Sequence, residues 1–219
     1  MNTFTAGLLF AVISTLSVQA DAVITPDLAA LGRDQAGWEV PAQRPFLAAV
    51  DATDGNTAVQ ANPVALAYVA GLEMADGVME FAVRGRAGDQ SSFVGVIFHG
   101  VDGDEYEVVY FRSFNFGQEN PLKRRHAVQY IAHPDWPWHR LRRERTDQFE
   151  KPVRPEPKPD EWFQARVVIE NGRVRAYVNN APEASLDVVR LSARRTGKVG
   201  VWFSGYGDIA NLRITPKRD

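Results

Sequence analysis

Residues Phe163–Asn179 read FQARVVIENGRVRAYVN and carry the clearest structural signal in the chain. Apolar and polar residues alternate on both sides of Asn171-Gly172, the period-two pattern of a strand with one buried face. Asn-Gly is the preferred dipeptide of a type I′ turn, because both central positions of that turn have positive φ. The stretch therefore predicts a β-hairpin in which Val174 and Val178 face inward.

Similar alternation, divided by turn dipeptides, continues along most of the chain. Asp76-Gly77 lies between two apolar runs and predicts another hairpin, and Asp102-Gly103 predicts a turn between strands Phe93–His99 and Asp104–Arg112. Further strands are predicted at His126–Ala132, Ser185–Val189, Gly197–Ser204 and Asp208–Thr215, with no helix longer than two turns. About ten strands, with turns at intervals of roughly 8–12 residues, favour an all-β fold: a two-sheet antiparallel β-sandwich.

Residues 1–20 have the features of a signal peptide. Leu8–Leu16 is an apolar run too short to span a bilayer, and the small residues of Val18-Gln19-Ala20 suit cleavage before Asp21. No Lys or Arg precedes the apolar run, so an uncleaved amphiphilic start is the alternative. We therefore expect export to the periplasm or the medium, and a single β-sandwich domain at 21–219 with no membrane span.

The composition narrows the range of partners. The chain has no cysteine, so an exported domain must rely on core packing alone, and about 200 residues suffice to bury roughly 70% of the unfolded surface. A formal net charge of -2 gives no general electrostatic reason to bind nucleic acid or an anionic membrane. The basic clusters Lys123–Arg125 and Arg140–Arg145 flank loops and are interpreted as solvated faces. The sequence does not indicate an oligomeric state.

A proline-rich segment, Lys151–Pro159, reads KPVRPEPKP. Its four prolines predict an extended, polyproline-like conformation. We interpret it as a semi-rigid strap lying across one domain. A linker between two domains is the alternative.

The stretch Tyr106–Leu141 concentrates the residue types that bind sugars. Aromatic rings pack against the apolar faces of sugar rings, and planar polar side chains hydrogen-bond to neighbouring hydroxyl groups. Trp136 and Trp138 lie on a proline-stiffened loop, where they either bind ligand or plug the end of the core. The predicted ligand-binding residues are Arg112, Asn115, Gln129, His133, Trp136, Trp138, His139 and Arg140.

Alternation leaves the orientation of several side chains open. Gln129 and Tyr130 are neighbours on one predicted strand, so only one of them can face a groove directly. Trp202 lies between Val201 and Phe203 and points to the opposite face from both. Its ring belongs either to a second core face or to the floor of a groove.

Catalytic chemistry is only weakly indicated. Glu105 and Glu107 share a strand face at a separation of roughly 7 Å, a spacing that permits inverting glycoside hydrolysis, although solvent-facing glutamates on a hairpin are commonplace. His133 and His139 flank the tryptophans and are candidates for a general base near neutral pH. No histidine pair has the spacing of a zinc site, and Asp208 suits either a structural calcium ion or a turn cap. Whether the protein is an enzyme stays open.

Four segments of the chain resemble a known group of proteins. They are YEVVYFRSFNF from Tyr106, HAVQYIAHPDWPWHRLR from His126, EWFQARVVIENGRVRAYVNNAPEASLDVVRL from Glu161 and GKVGVWFSGYGDIANLRI from Gly197. Together they resemble exported bacterial laminin-G-like jelly-roll proteins of the concanavalin A-like lectin/glucanase superfamily, near the 3-keto-disaccharide hydrolase family. The resemblance implies a two-sheet jelly roll with a groove on its concave sheet that is often used for glycans.

Three functional hypotheses follow. The first is an exported β-sandwich that recognises a carbohydrate in a concave groove by aromatic stacking and planar hydrogen bonds. The second is a glycoside hydrolase that acts in the same groove on disaccharides or glucosides, including 3-keto sugars, with the histidines and glutamates named above as catalytic candidates. The third is a structural or protein-interaction domain.

Overall fold

Two antiparallel sheets form the protein. The computed structural model describes residues 22–42, 48–51, 57–60, 64–88 and 91–217, so the predicted signal peptide at 1–20 lies outside the described residues. The strands within these ranges form two seven-stranded sheets. The predicted all-β, two-sheet antiparallel sandwich is confirmed.

We call the two sheets the front sheet and the back sheet. The front sheet has the strand order β1 (Trp38–Glu39), β4 (Val64–Met74), β13 (Gly197–Gly205), β6 (Ser92–Gly100), β7 (Tyr106–Phe111), β8 (Val128–His133) and β9 (Glu150–Lys151). The back sheet has the order β12 (Leu186–Val189), β11 (Arg173–Val178), β10 (Phe163–Glu170), β5 (Gly77–Arg84), β14 (Asp208–Pro216), β3 (Thr57–Gln60) and β2 (Ala48–Asp51). Every pair of neighbouring strands in these orders is antiparallel.

The helical elements within the described ranges are all short, as predicted. They are α1 (Leu28–Arg33), α2 (Pro121–Arg125) and α3 (Trp138–Glu144), together with one 3-10 turn at Ser113–Asn115. The start of α2 follows local rules, because the Asn120 side chain accepts a hydrogen bond from the backbone N–H of Leu122 and Pro121 occupies the first turn. The 3-10 turn and α2 lie between β7 and β8, and α3 lies between β8 and β9, whereas α1 precedes β1.

Aromatic rings from the two sheets meet in the interior. Phe111 of β7 lies 6.5 Å from Phe81 of β5 and 5.2 Å from Phe163 of β10, measured between ring centroids. Since side chains alternate along a strand, the face of β7 that carries Val109 and Phe111 is interior. The other face, which carries Tyr106 and Tyr110, is the outer face of the front sheet.

The Asn171-Gly172 hairpin is confirmed. Both residues have positive φ, 51° and 74°, and β10 pairs with β11 in the expected register. The predicted turn between β6 and β7 is also confirmed, since these strands pair antiparallel.

The predicted Asp76-Gly77 hairpin is wrong. The residues connect β4 of the front sheet to β5 of the back sheet, so the chain crosses between sheets there. Close packing explains the glycine, because a Cβ atom at Gly77 would lie 2.6 Å from the carbonyl oxygen of Thr215.

The proline-rich segment runs from β9 of the front sheet to β10 of the back sheet. Val153 is buried in the common core, and the backbone N–H of Arg154 donates to the Ser185 hydroxyl at 2.9 Å. Glu156 forms an ion pair of 2.6 Å with Arg124 of α2. The segment therefore contacts the core, the residue before β12 of the back sheet, and α2.

Candidate functional site

A groove of about 790 Å³ lies on the outer face of the front sheet. Its floor comes from β6, β7, β8 and β13, one wall from the 3-10 turn and α2, and the other wall from α3. The residues that line it are Val64, Gly88, Phe93, Tyr106, Tyr110, Arg112, Phe114, Asn115, Gln118, Leu122, Lys123, His126, Ile131, His133, Trp138, Arg142, Trp202 and Ser204. We refer to the cavity as the groove and to these residues as the groove residues.

The floor is aromatic because a glycine leaves room for it. Gly95 of β6 pairs with Tyr110 on one side and with Trp202 on the other. The two flanking rings approach to 5.1 Å between centroids across the missing side chain. A Cβ atom at Gly95 would lie 2.0 Å from the carbonyl oxygen of Val109 and 2.6 Å from the Cα of Tyr110. Trp202 is thus groove floor, which resolves the orientation left open by its sequence.

Exposed apolar surface is present in both walls. Trp138 of α3 is 48% exposed, and Leu122 of α2 is 51% exposed. Large apolar side chains that stay in contact with water beside a groove commonly mark a binding surface. The ring of Trp138 is held in place by the guanidinium group of Arg142, which lies 5.2 Å from the ring centroid.

A network of charged and polar groups lies under the floor. Arg112 donates to Glu150 at 3.1 Å, to the Tyr110 hydroxyl at 2.8 Å and to the Gln129 carbonyl oxygen. Glu150 also accepts two hydrogen bonds from Arg142, at 3.0 and 2.7 Å. Burial raises the pKa of Tyr110 to about 12, so its hydroxyl is a hydrogen-bond donor at neutral pH. These contacts fix the groove's polar groups before any ligand arrives.

The amides of the 3-10 wall are also positioned by the backbone. Asn115 donates through its side-chain amide to the carbonyl oxygen of His126 at 2.9 Å, and Gln118 donates to the carbonyl oxygen of Phe114 at 2.7 Å. Burial lowers the pKa of His126 despite the opposing effect of nearby Glu150. Its imidazole is therefore neutral near pH 7.

The structure brings half of the predicted ligand-binding residues into the groove. Arg112, Asn115, His133 and Trp138 line it. Gln129 lies on the same face as the floor, fully buried, where it accepts a hydrogen bond of 2.6 Å from Tyr110. Gln129 is therefore the member of the Gln129–Tyr130 pair that faces the groove.

Besides Gln129, three predicted ligand-binding residues are not among the groove residues: Trp136, His139 and Arg140. Trp136 precedes α3, and the guanidinium groups of Arg140 and Arg145 lie 4.2 and 5.5 Å from the centroid of its ring. Trp136 therefore packs partly against the core, the alternative that the sequence left open for it. His139 lies on α3 with its ring 5.7 Å from that of Trp138.

The two candidate catalytic glutamates lie away from the groove. Glu107 is buried on the interior face of β7, where it accepts hydrogen bonds from Tyr130 and Arg190, and its Oε1 lies 3.1 Å from His99. Glu105 pairs with Arg194 at 2.8 Å. The expectation that these glutamates face solvent or a groove is wrong for Glu107, because its strand face is the core. No Asp or Glu is among the groove residues.

Sequence reasoning did not select Glu150, Arg142, Lys123 or His126. Glu150 is brought to Arg112 by the pairing of β8 with β9, a contact between residues distant in sequence that no local pattern signals. Arg142 and Lys123 belong to the basic clusters interpreted as solvated faces. Both residues lie beside the aromatic stretch in the sequence, and that position was the available signal that they could line the groove.

The charges around the predicted metal ligand do not favour a bound cation. Asp208, the calcium candidate, is paired with Arg84 at 2.7 Å and lies 3.7 Å from Arg86, so arginines already supply its positive partner. A calcium ion at Asp208 stays a prediction.

A second cluster of potential ligands lies at the edge of the front sheet. His126, Asp147 and Glu150 have ligand atoms within 4.8 Å of one another. Glu150 is bound by Arg112 and Arg142, and Asp147 by Arg125. Three guanidinium groups around two carboxylates disfavour a cation at this cluster.

The two antiparallel sheets define the class of fold, a β-sandwich of the jelly-roll type. Among solved structures, the carbohydrate-binding module CBM66 from Bacillus subtilis matches with a TM-score of 0.56 and 10% identity, covering 82% of this chain and 96% of the module. A Bacillus licheniformis beta-glucanase matches with a TM-score of 0.54 and 10% identity over 92% of this chain and 100% of the glucanase. A Bacillus subtilis protein with a galectin-like fold gives 0.53 and 9%, over 86% and 93%.

Sequence comparisons add nothing to this. No family model matches the chain, and no curated protein does. At such low identity, the structural likeness shows the fold alone. No helix among the described residues is long and apolar enough to cross a membrane.

Proposed function

We propose that the protein is an exported glycan-binding β-sandwich that holds a carbohydrate in the groove. The observation that carries the proposal is the position of Trp138, a half-exposed indole in a groove that also presents planar polar side chains held by hydrogen bonds. These are Arg112, Asn115 and Gln118. A sugar needs this combination, because its C–H faces pack on aromatic rings while its hydroxyls bond to amide and guanidinium groups.

Two further features support binding in this groove. Trp202 lines the floor, and its indole N–H has no hydrogen-bond acceptor among the described residues. The Nε2 of Gln129, on the same face, also lacks a partner there. Buried polar groups without partners are costly, so an oxygen-rich ligand or bound water suits this floor.

Hydrolysis in the same groove is the weaker hypothesis. Ordinary glycoside hydrolysis uses two carboxyl groups on either side of the scissile bond, and the groove presents none. His133 is the only one of the four catalytic candidates that lines it.

The test is a panel of neutral and charged oligosaccharides, 3-keto-glucosides included, read by calorimetry with product analysis on every hit. Trp138→Ala should weaken binding at least about tenfold, equivalent to about 1.4 kcal/mol, with little loss of stability because the side chain is exposed. Trp162→Ala is the matched control, because Trp162 immediately precedes β10 of the back sheet, contacts Arg84 and does not line the groove. Undiminished affinity in Trp138→Ala would contradict the proposal, and released product would favour the hydrolase.

Export is proposed on the sequence features of residues 1–20 alone. Amino-terminal sequencing of the protein from a periplasmic or culture-medium fraction should begin at Asp21. A protein retained in the cytoplasm with Met1 intact would contradict export.

A further inference from the structure

The charged side chains that line the groove are all of one sign. Arg112, Lys123 and Arg142 are cations, and no groove residue is an Asp or a Glu. The chain as a whole has a formal net charge of -2. General basicity therefore does not account for the positive groove.

The nearest carboxylates do not cancel this charge. Glu150, 3% exposed beneath the floor, is shared by Arg112 and Arg142, so one carboxylate faces two guanidinium groups. Asp147 is engaged by Arg125 at 3.0 Å, outside the groove. Lys123 has no ion pair with any residue in the described ranges. The groove thus keeps positive charge in excess without any contribution from its histidines.

Arg142 is ordered before a ligand binds. Its Nε and Nη2 donate to Glu150, and its guanidinium group lies over the ring of Trp138. The hydrogen bond with Glu150 raises the pKa of Arg142, so its charge is permanent. The remaining nitrogen, Nη1, has no acceptor among the described residues, and 36% of the side chain is exposed. A fixed guanidinium group with a free donor loses little entropy when it binds an anion.

We propose that the groove selects anionic sugars, whose carboxylate or sulfate group is bound by Arg142 and Lys123 while the ring packs on Trp138. This inference rests on the proposed glycan-binding function and names its ligand class. A carboxylate presents two oxygens in a plane, and a sulfate ester presents three in a tripod. Guanidinium and ammonium groups bind both arrangements by charge-assisted hydrogen bonds. Because the site is partly open to water, salt should weaken the preference.

The experiment uses the full chain and pairs of sugars that differ only in charge. Galacturonate, glucuronate and guluronate trisaccharides are each compared with their methyl esters, and a sulfated galactan trisaccharide with its desulfated form, by calorimetry at low and high salt. We expect the charged member of at least one pair to bind about tenfold or more tightly, with a smaller ratio at high salt. The pair that shows the preference tells a uronate carboxylate from a sulfate ester.

Variants separate this inference from the proposed function. Lys123→Gln, an exposed change on α2, and Arg142→Gln should each reduce affinity for the charged probe about fivefold or more. Each should reduce affinity for the neutral probe by less, so that the ratio of charged to neutral affinity falls. Arg143→Gln is the control, because Arg143 lies on the same helix as Arg142, has a side chain that is 67% exposed, and does not line the groove. Lys123→Gln keeps the test decisive if Arg142→Gln destabilises the fold.

Each outcome bears on one proposal or on both. Equal binding of charged and neutral partners would overturn the anionic preference and leave glycan binding intact. Failure to bind any sugar of the panels, charged or neutral, would overturn both.

Discussion

Replacing Glu107 by glutamine tests whether this carboxylate is structural, as its position in the core indicates, or catalytic. Its side chain is fully buried between the sheets. Arg190 donates to it at 3.1 and 2.5 Å, and the Tyr130 hydroxyl at 2.5 Å. His99 completes the contacts at 3.1 Å. A carboxylate held in this way stabilises the fold and has no access to a substrate in the groove.

The expected magnitude follows from the pKa of Glu107. Burial alone would raise this pKa. The hydrogen bonds with His99 and Arg190 together have a larger effect in the opposite direction, and they lower the pKa from the ordinary value of 4.5 to about 2. At 1.36 kcal/mol per pKa unit, the difference corresponds to about 3 kcal/mol of folding free energy. Because the folded-state pKa is the lower one, this stability is present above pH 4.5 and is lost as the pH falls toward 2.

Glu107→Gln should therefore cost about 3–5 kcal/mol at neutral pH, because it also leaves the buried Arg190 without a carboxylate. Urea unfolding of both proteins, repeated at several pH values between neutral and the acid limb, measures the effect. The wild type should lose unfolding free energy steeply below pH 4.5, and the variant less steeply. Glu105→Gln, whose side chain is 47% exposed, should cost no more than about 1 kcal/mol. A Glu107→Gln protein within about 1 kcal/mol of wild type, with unchanged pH dependence, would refute the reasoning.

Three further predictions concern the groove and the sheets. Gly95→Ala places a methyl group against the Val109 carbonyl oxygen. It should lower the free energy of unfolding in urea by about 1–3 kcal/mol and weaken sugar binding. Unchanged values would contradict the packing argument. Glu150→Gln leaves buried guanidinium charge unpaired and should lower the free energy of unfolding in urea by about 3–5 kcal/mol. Glu144→Gln, on the surface, should lower it by under about 1 kcal/mol. Gly172→Ala forces a side chain into a positive-φ position, at 74°, and should lower the thermal midpoint by several degrees, corresponding to about 1 kcal/mol; an unchanged midpoint would count against the turn.

Local patterns in the sequence predict the strands because burial imposes the period of two. The segment from Phe163 to Asn179 shows this, since its alternation and its Asn-Gly pair together determine both the strand faces and the turn. Asp76-Gly77 shows the limit of such patterns. A turn dipeptide indicates that the chain reverses, but not whether the next strand pairs in the same sheet or joins the opposite one.

The groove was predictable only in part. Arg112, Asn115, His133 and Trp138 are found in the quoted aromatic stretch, and the structure places them together. The carboxylate beneath them, at position 150, comes from strand pairing across the sheet edge and has no local signature. The burial of Glu107 did have a signal, because Val109 and Phe111 share its strand face. The charge of Glu107 suggested that its side chain faces solvent. Its ion pair with Arg190 reduces the free-energy cost of burying that charge.

The central claim is that a sugar binds in the groove, and tryptophan indole signals test it most directly. The chain has five tryptophans, so a two-dimensional ¹H–¹⁵N spectrum should contain five indole N–H peaks, assigned by single Trp→Phe variants. Titration with a sugar that binds in the panel should shift the peaks of Trp138 and Trp202. The peaks of Trp38 and Trp162, which lie away from the groove, should stay in place. A bound sugar that shifts Trp162 and leaves Trp138 and Trp202 unchanged would contradict the account.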